Sequence, residues 1–493
     1  MSAQFTLQDL RSALETRDPD LVDQFLQMVS PPADGDQKFG YLAPPADAEP
    51  QREGVYDFAT FLRETENSQF RRKSPDEQAQ LRMAKLAALE SKDAEVPLPD
   101  KLVSHELLME LWESDDAFHR RALISIIRQS PMVYGPFKAF KAIFKQAEAK
   151  DDTEIYGLLA ARFDIAFANK DHGVSHRTLS YLVRRAWRYL RHVGQALPAI
   201  YPDVAVDFLS NYHHVHLSNT WIANHIFFHG TGKYNAKKFK LNYWRVDDWL
   251  KDRAFADTWK RSPRPLFDLL EVSQSDQIRE YAVTALKKDF RAALRDVDAE
   301  WVARLIGKSD AFAVWILDNV PKFEQSKFRE LGLHEPVLQL FYSHDHTASN
   351  YAAAYARTHA RDLPVDELIG LVASSNEGIH SVAADLLLER DPREDVGLEA
   401  WGRILEGVYS REIAADVLRK HFGASELTPE WFAERLLSEN EYAFEFASKR
   451  LTDLHSAKQL GATYFVDLLK GHCANPHNTN YLCLLYTSDA ADE

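Results

Sequence analysis

The residues whose types and spacing could do chemistry are mostly cationic. RTLSYLVRRAWRYLRH at 177–192 sets Arg177, Arg184, Arg188 and Arg191 at intervals of seven, four and three. On a helix these share one face. Leu179, Leu182, Ala186, Tyr189 and Leu190 point elsewhere, toward a core. Further on, KYNAKKFKLNYWR at 233–245 interleaves Lys237, Lys238, Lys240 and Arg245 with Tyr234, Phe239, Tyr243 and Trp244. Cations that meet phosphates beside rings that stack on bases suit single-stranded or flipped nucleotides. The competing expectation is a solvated basic face that pairs with the chain's own carboxylates.

Net charge over the 493 residues is −15, which taken alone argues against a generic nucleic-acid binder. Its distribution is uneven. Residues 117–150 carry +6, 151–169 carry −3 and 170–264 carry +9, so 117–264 holds +12 and the rest of the chain −27. Such asymmetry points to an anionic partner for the basic block.

Histidines cluster in NYHHVHLSNTWIANHIFFHG at 211–230, and His225 and His229 are four apart. That spacing puts two imidazoles on one helical face and can hold zinc. No Glu follows His225 as HExxH requires, and the stretch has no Asp, Glu or Cys to complete a site. Structural histidines are the expectation. There is no Walker loop, GxGxxG, GxSxG or CxxC pair. No catalytic residue, metal or cofactor is therefore expected.

The elements that must position these residues read as helices. Ala, Leu, Glu, Arg and Lys dominate, glycine is low at 19, and no long alternating Val/Ile/Thr run occurs. No apolar stretch approaches the roughly 18 residues that suggest a membrane span. The N-terminus has no signal-peptide core, and the two cysteines, Cys473 and Cys483, make no disulfide framework. A bacterial-type cytoplasm is the expected location. The expected divisions are an N-terminal helix (1–29), a proline-rich linker (30–54), a helical segment (55–95), a helical core with the basic region (96–262), repeats (263–460) and a truncated further repeat (461–482). Residues 483–493, CLLYTSDAADE, look like a translated sequencing adapter, so this tail is expected to be non-native.

The repeat is marked by alanines. YAVTAL (281–286), YAAAYA (351–356), VAADLL (382–387), IAADVL (413–418) and FASKRL (446–451) place Ala282, Ala352, Ala383, Ala414 and Ala447 at intervals of 70, 31, 31 and 33. The 70 accommodates a degenerate unit containing AVWILDNV at 313–320. A first helix precedes each: PLFDLL (265–270), EWVARLI (300–306), PVLQLF (336–341), VDELIGLV (365–372), LEAWGRIL (398–405) and PEWFAERLL (429–437). Units of this length are those of α-solenoids, whose small residues let neighbouring helices approach closely. The expected fold is all-α, an α-solenoid of HEAT-like antiparallel helix pairs.

Three segments also carry a resemblance. YGPFKAFKAIFKQAEAKDDTEIYGLLAARFD (134–164), RRAWRYLRHVG (184–194) and NHIFFHGTGKYNAKKFKLNYWR (224–245) resemble the core of large bacterial helical-repeat proteins. Those proteins often carry a separate WGR domain, a small β-module also found beside poly(ADP-ribose) polymerase catalytic domains. The resemblance covers roughly residues 100–330 and implies an α-solenoid in a DNA-associated or defence setting. This chain shows no WGR module, since its tripeptide at 401–403 lies inside the amphipathic LEAWGRIL. The expected function is a non-enzymatic binding scaffold with a protein partner, contacting nucleic acid through 117–264. The alternatives are a nucleic-acid-processing enzyme of the HEAT-like glycosylase kind and a protein-only adaptor.

Overall fold

The computed structural model of the chain describes residues 5–29, 74, 104–114, 116–169, 174–229 and 246–470. Over these residues the protein is all-α, with many short helices and no strand. None of their helices is long and apolar enough to cross a membrane. The linker at 30–54, the segment at 55–95 apart from Ser74, and everything beyond residue 470 lie outside the described residues. The fold divides between Ala293 and Leu294 into two compact units. That boundary falls inside the stretch expected as one repeat array.

In the first unit the described helices are α1 (Leu7–Glu15), α2 (Leu21–Val29), α3 (His105–Glu113), α4 (Ala117–Gln129), α5 (Tyr134–Ala149), α6 (Thr153–Asn169), α7 (His176–Ala196), α8 (Tyr201–Leu209), α9 (Ile222–Phe228), α10 (Val246–Asp252), α11 (Arg264–Val272) and α12 (Asp276–Asp289). The single helix expected over 1–29 is two. Thr6 and Asp9 form a capping box that opens α1, and the chain breaks where Arg17 turns left-handed (φ 55°) and Asp18 precedes Pro19. The proline ring disfavours helical geometry at the residue before it.

The first unit is built around α6, TEIYGLLAARFDIAFAN, which is buried on nearly every side. A helix with one apolar stripe can sit at a surface, but one apolar all round must be surrounded. Accordingly α6 packs against α4, α5, α7, α8 and α9. On the α5 side Phe144 stacks on Tyr156 at 4.3 Å and meets Phe163 edge-on at 5.3 Å. On the α8 side Gly157 lets the backbones touch: a Cβ there would lie 2.7 Å from the Asp207 carbonyl oxygen.

In the second unit the helices are α13 (Ala299–Leu305), α14 (Asp310–Asn319), α15 (His334–Gln339), α16 (His346–His359), α17 (Val365–Val372), α18 (Glu377–Leu388), α19 (Leu398–Leu405), α20 (Arg411–His421), α21 (Pro429–Leu436), α22 (Glu441–Leu454) and α23 (Ala457–Lys470). Neighbours pack as α13 with α14, α15 with α16, α17 with α18, α19 with α20 and α21 with α22. Across pairs, α14 touches α16, α16 touches α18, α20 touches α22 and α17 touches α19. A π-helical turn at Pro392–Val396 touches both α18 and α20. Ala352, Ala383, Ala414 and Ala447 are all buried, as is Ala282 in the first unit.

Polar side chains link positions 27 to 34 residues apart in this unit. Arg329 reaches Asp362 (2.7 Å), Arg357 reaches Asp385 (3.0 Å), Asn376 reaches Ser349 (2.8 Å) and Asn440 reaches the Glu406 carbonyl (2.7 Å). The tripeptide at 401–403 is structural. Trp401 is buried and donates its indole N–H to the Pro392 carbonyl at 3.1 Å. Gly402 leaves room for the buried Arg435 guanidinium, and Arg403 pairs with Asp366 at 2.9 Å.

The same substitution should have opposite signs at two helical glycines. At Gly370 in α17 a Cβ would meet nothing within 4 Å, so Gly370→Ala should stabilise by up to about 1 kcal/mol through helix propensity. Gly157→Ala gains the same propensity but drives a methyl into backbone, and overpacking of roughly 1–3 kcal/mol should outweigh it. Urea unfolding of both variants checks this, and a stabilised Gly157→Ala would show that α6 and α8 are not in backbone contact.

Candidate functional site

The expected arginine face is carried by α7, a 21-residue helix. Its inner side buries Leu179, Leu182, Val183, Ala186, Leu190 and Val193. Gly194 lies under the Phe255 ring. Arg177, Arg184, Arg188 and Arg191 are exposed on the outer side. The helix contains no Asp or Glu. None of the four arginines forms an ion pair among the described residues.

Other cations of the basic block are differently engaged. Arg120 binds Asp152 (2.7 Å) and Glu154 (2.6 Å), Arg253 binds Asp289 (2.7 Å), Arg264 binds Asp268 (3.9 Å) and Arg185 binds Glu148. The four exposed arginines are thus a distinct set, and Arg184/Arg188 and Arg188/Arg191 sit at helix-neighbour spacings. Like charges so placed cost a few tenths of a kcal/mol per pair. Lys237, Lys238, Lys240 and Arg245 lie outside the described residues.

Two of the guanidinium groups rest on indoles. Arg184 lies 5.1 Å from the Trp221 ring centroid and Arg191 lies 5.9 Å from that of Trp187. A cation over a tryptophan face is attracted by the ring's quadrupole, and the contact leaves the guanidinium N–H groups able to meet a second ligand.

Both indoles are set by α9. Trp187 donates its N–H to Nδ1 of His225, a buried residue of α9, at 2.8 Å, which places that imidazole's proton on Nε2. His229 Nδ1 lies 3.3 Å from the same His225 nitrogen. Burial lowers the pKa of both histidines, and the charge of Arg191 lowers it further. For His225 the neighbouring His229 adds to this. Both rings are neutral near pH 7. Histidines 213 and 216 serve the turn before α9: His213 Nδ1 lies 3.1 Å from the Asn211 carbonyl, and His216 accepts from the Ser218 N–H. No three His, Cys, Asp or Glu residues converge as a metal site among the described residues.

The start of α9 is held by a residue of α6. Asp164, fully buried, accepts from the Trp221 N–H (2.8 Å), the Ile222 N–H (2.7 Å) and the Tyr212 hydroxyl (2.7 Å). The first N–H groups of a helix have no partner within it. α9 has no side-chain cap of its own, so Asp164 supplies one from 58 residues away. Burial pushes its pKa up from 3.8 to about 6, against the donors, which favour the carboxylate.

Neither Asp164 nor the two indoles figure among the sequence-derived site residues. The available signal for Asp164 was a lone acid inside the apolar run GLLAARFDIAFA. Comparisons with family models, curated proteins and solved structures found no match to this chain.

The Asp164 carboxyl sets a pH signature. It holds its proton more tightly folded than unfolded between pH 3.8 and about 6. Its contribution to stability is therefore complete below pH 3.8 and is lost as pH rises through 6. At 1.36 kcal/mol per pKa unit the loss is about 3 kcal/mol. The unfolding free energy of wild type minus that of Asp164→Asn should fall by about this amount from pH 4 to pH 7. A difference that stays flat in urea titrations would contradict the burial of this group.

Proposed function

We propose that this chain is a non-enzymatic binding scaffold, an α-solenoid of HEAT-like helix pairs, that takes nucleic acid on the arginine face of α7. The observation that carries the reading is the unpaired arginine set. Arg177, Arg184, Arg188 and Arg191 are exposed, free of ion pairs among the described residues, and carried on a helix without a carboxylate. The chain has 74 acids to pair with them. Repulsion along the helix, with no pairing carboxylate among the described residues, suits a surface kept for an external polyanion.

The solenoid part of the reading is supported by the buried alanines at intervals near 31–33 and by polar links between side chains about one helix pair apart. The resemblance to bacterial helical-repeat proteins agrees with it. No observation favours the glycosylase alternative. Among the described residues of the basic block the fully buried carboxylate is Asp164, and its oxygens are taken by α9 and Tyr212.

Binding to oligonucleotides should weaken steeply with salt, because each neutralised phosphate releases counterions. The log–log slope is about −0.7 per contact on single strands and about −0.9 on duplex. Replacing Arg184, Arg188 and Arg191 together with Ala should flatten the slope by roughly two to three contacts. Thermal stability should change little, since these side chains are exposed and mutually repulsive. Absence of binding to any oligonucleotide at low salt would leave the protein-only adaptor as the better account.

A further inference from the structure

The arginine face includes an aromatic ring. Tyr181 stands four residues after Arg177 and three before Arg184, on the same stripe of α7, and is 47% exposed. Along the helix axis its Cα lies about 6 Å from that of Arg177 and about 4.5 Å from that of Arg184. A tyrosine on a solvated helix face ordinarily lies down on its neighbours or moves freely. This one is tethered by its polar end. Arg185 Nη1 donates to the Tyr181 hydroxyl at 3.2 Å, and Arg185 is itself paired with Glu148 of α5. The ring stacks on no other ring among the described residues.

We propose that Tyr181 is a stacking platform for an unpaired base, so that the nucleic acid taken by α7 is single-stranded. This rests on the nucleic-acid reading of the arginine face. A half-exposed ring on the stripe that carries Arg177 and Arg184, which form no ion pair among the described residues, offers a π-surface beside phosphate contacts, the combination that single-strand binders use. In a duplex the base faces are closed by their neighbours, and a tyrosine could offer only its hydroxyl hydrogen to a phosphate. The two uses differ in what they need. Stacking needs the ring, and a phosphate contact needs the hydroxyl. Glu148 and Arg185 act as positioning residues, with no contact to the ligand required of them.

The test uses the full chain with a mixed-sequence oligonucleotide carrying one 2-aminopurine, alone and annealed to its complement, titrated at low salt and across a salt series. Tyr181→Ala should weaken single-strand binding by roughly 5- to 100-fold and duplex binding by less than about 2-fold, with the salt slope unchanged. Tyr181→Phe keeps the ring but loses the Arg185 tether, so its single-strand affinity should fall by clearly less than that of Tyr181→Ala. Stacking should quench 2-aminopurine fluorescence in wild type and Tyr181→Phe but not in Tyr181→Ala. The proposal is overturned if Tyr181→Ala leaves single-strand binding intact, if it weakens both probes equally, or if Tyr181→Phe loses as much as Tyr181→Ala. The underlying reading fails separately, if wild type binds neither probe or if the triple arginine variant binds both as wild type does.

Discussion

The first unit depends on one buried carboxylate. Placing an ionisable acid at the centre of a helix that is apolar all round is costly, and it is tolerated only where donors converge on it. Asp164 gathers three of them, two backbone N–H groups and a tyrosine hydroxyl. The contact fixes where α9 begins. With α9 fixed, Trp221 lies under Arg184, and His225 accepts the indole N–H of Trp187, which lies under Arg191. A carboxylate in the core thus orients two guanidinium groups on the surface through a seven-residue helix. An apolar residue at 164 would relieve the cost of burial and leave the first N–H groups of α9 without an acceptor.

Two opposite uses of arginine follow within a single block of sequence. Arg120, Arg185 and Arg253 tie helices together through carboxylates. Among the described residues, Arg184 and Arg191 of the α7 face are instead held by aromatic contacts, and none of the four is held by an ion pair. A cation–π contact positions a guanidinium without neutralising it, whereas an ion pair does both. The distinction matters because a charge already satisfied by the protein gains little from a phosphate. The lowered pKa values of His225 and His229 have part of their cause in Arg191, so its field is felt on the protein side as well.

Much of the helical layout was legible because it is local. VDELIGLV and LEAWGRIL coincide with α17 and α19, and the arginine spacing on α7 put four side chains on one exposed side as periodicity requires. What escaped was carried by contacts between distant positions: Asp164 with Ile222 across 58 residues, and Trp187 with His225 across 38. Periodicity says which side of a helix is apolar and says nothing of which partner lies opposite. Tyr181 escaped for another reason. It occupies a polar stripe where a tyrosine is ordinary, until its tether to Arg185 is seen. One local signal was present and unread. Ser343, Ser374 and Ser438 each accept the N–H of the residue two positions on, and those residues, Asp345, Asn376 and Asn440, cap the helix that follows.

That turn recurs in the second unit. There Asp298, Asp345, Asn376, Thr428 and Asn440 cap α13, α16, α18, α21 and α22, and the marker alanines are buried. The exposed ion pairs between positions 28 to 33 residues apart, such as Arg357–Asp385 and Arg329–Asp362, are each worth about 0–1 kcal/mol, so no one of them decides the unit's stability. Losing one pair leaves the caps of the other helices in place. The first unit has no such redundancy at Asp164, where a single side chain satisfies the start of α9 and through it the orientation of the arginine face. Sensitivity to substitution should therefore be spread evenly in the second unit and concentrated in the first, at a core position that touches no ligand.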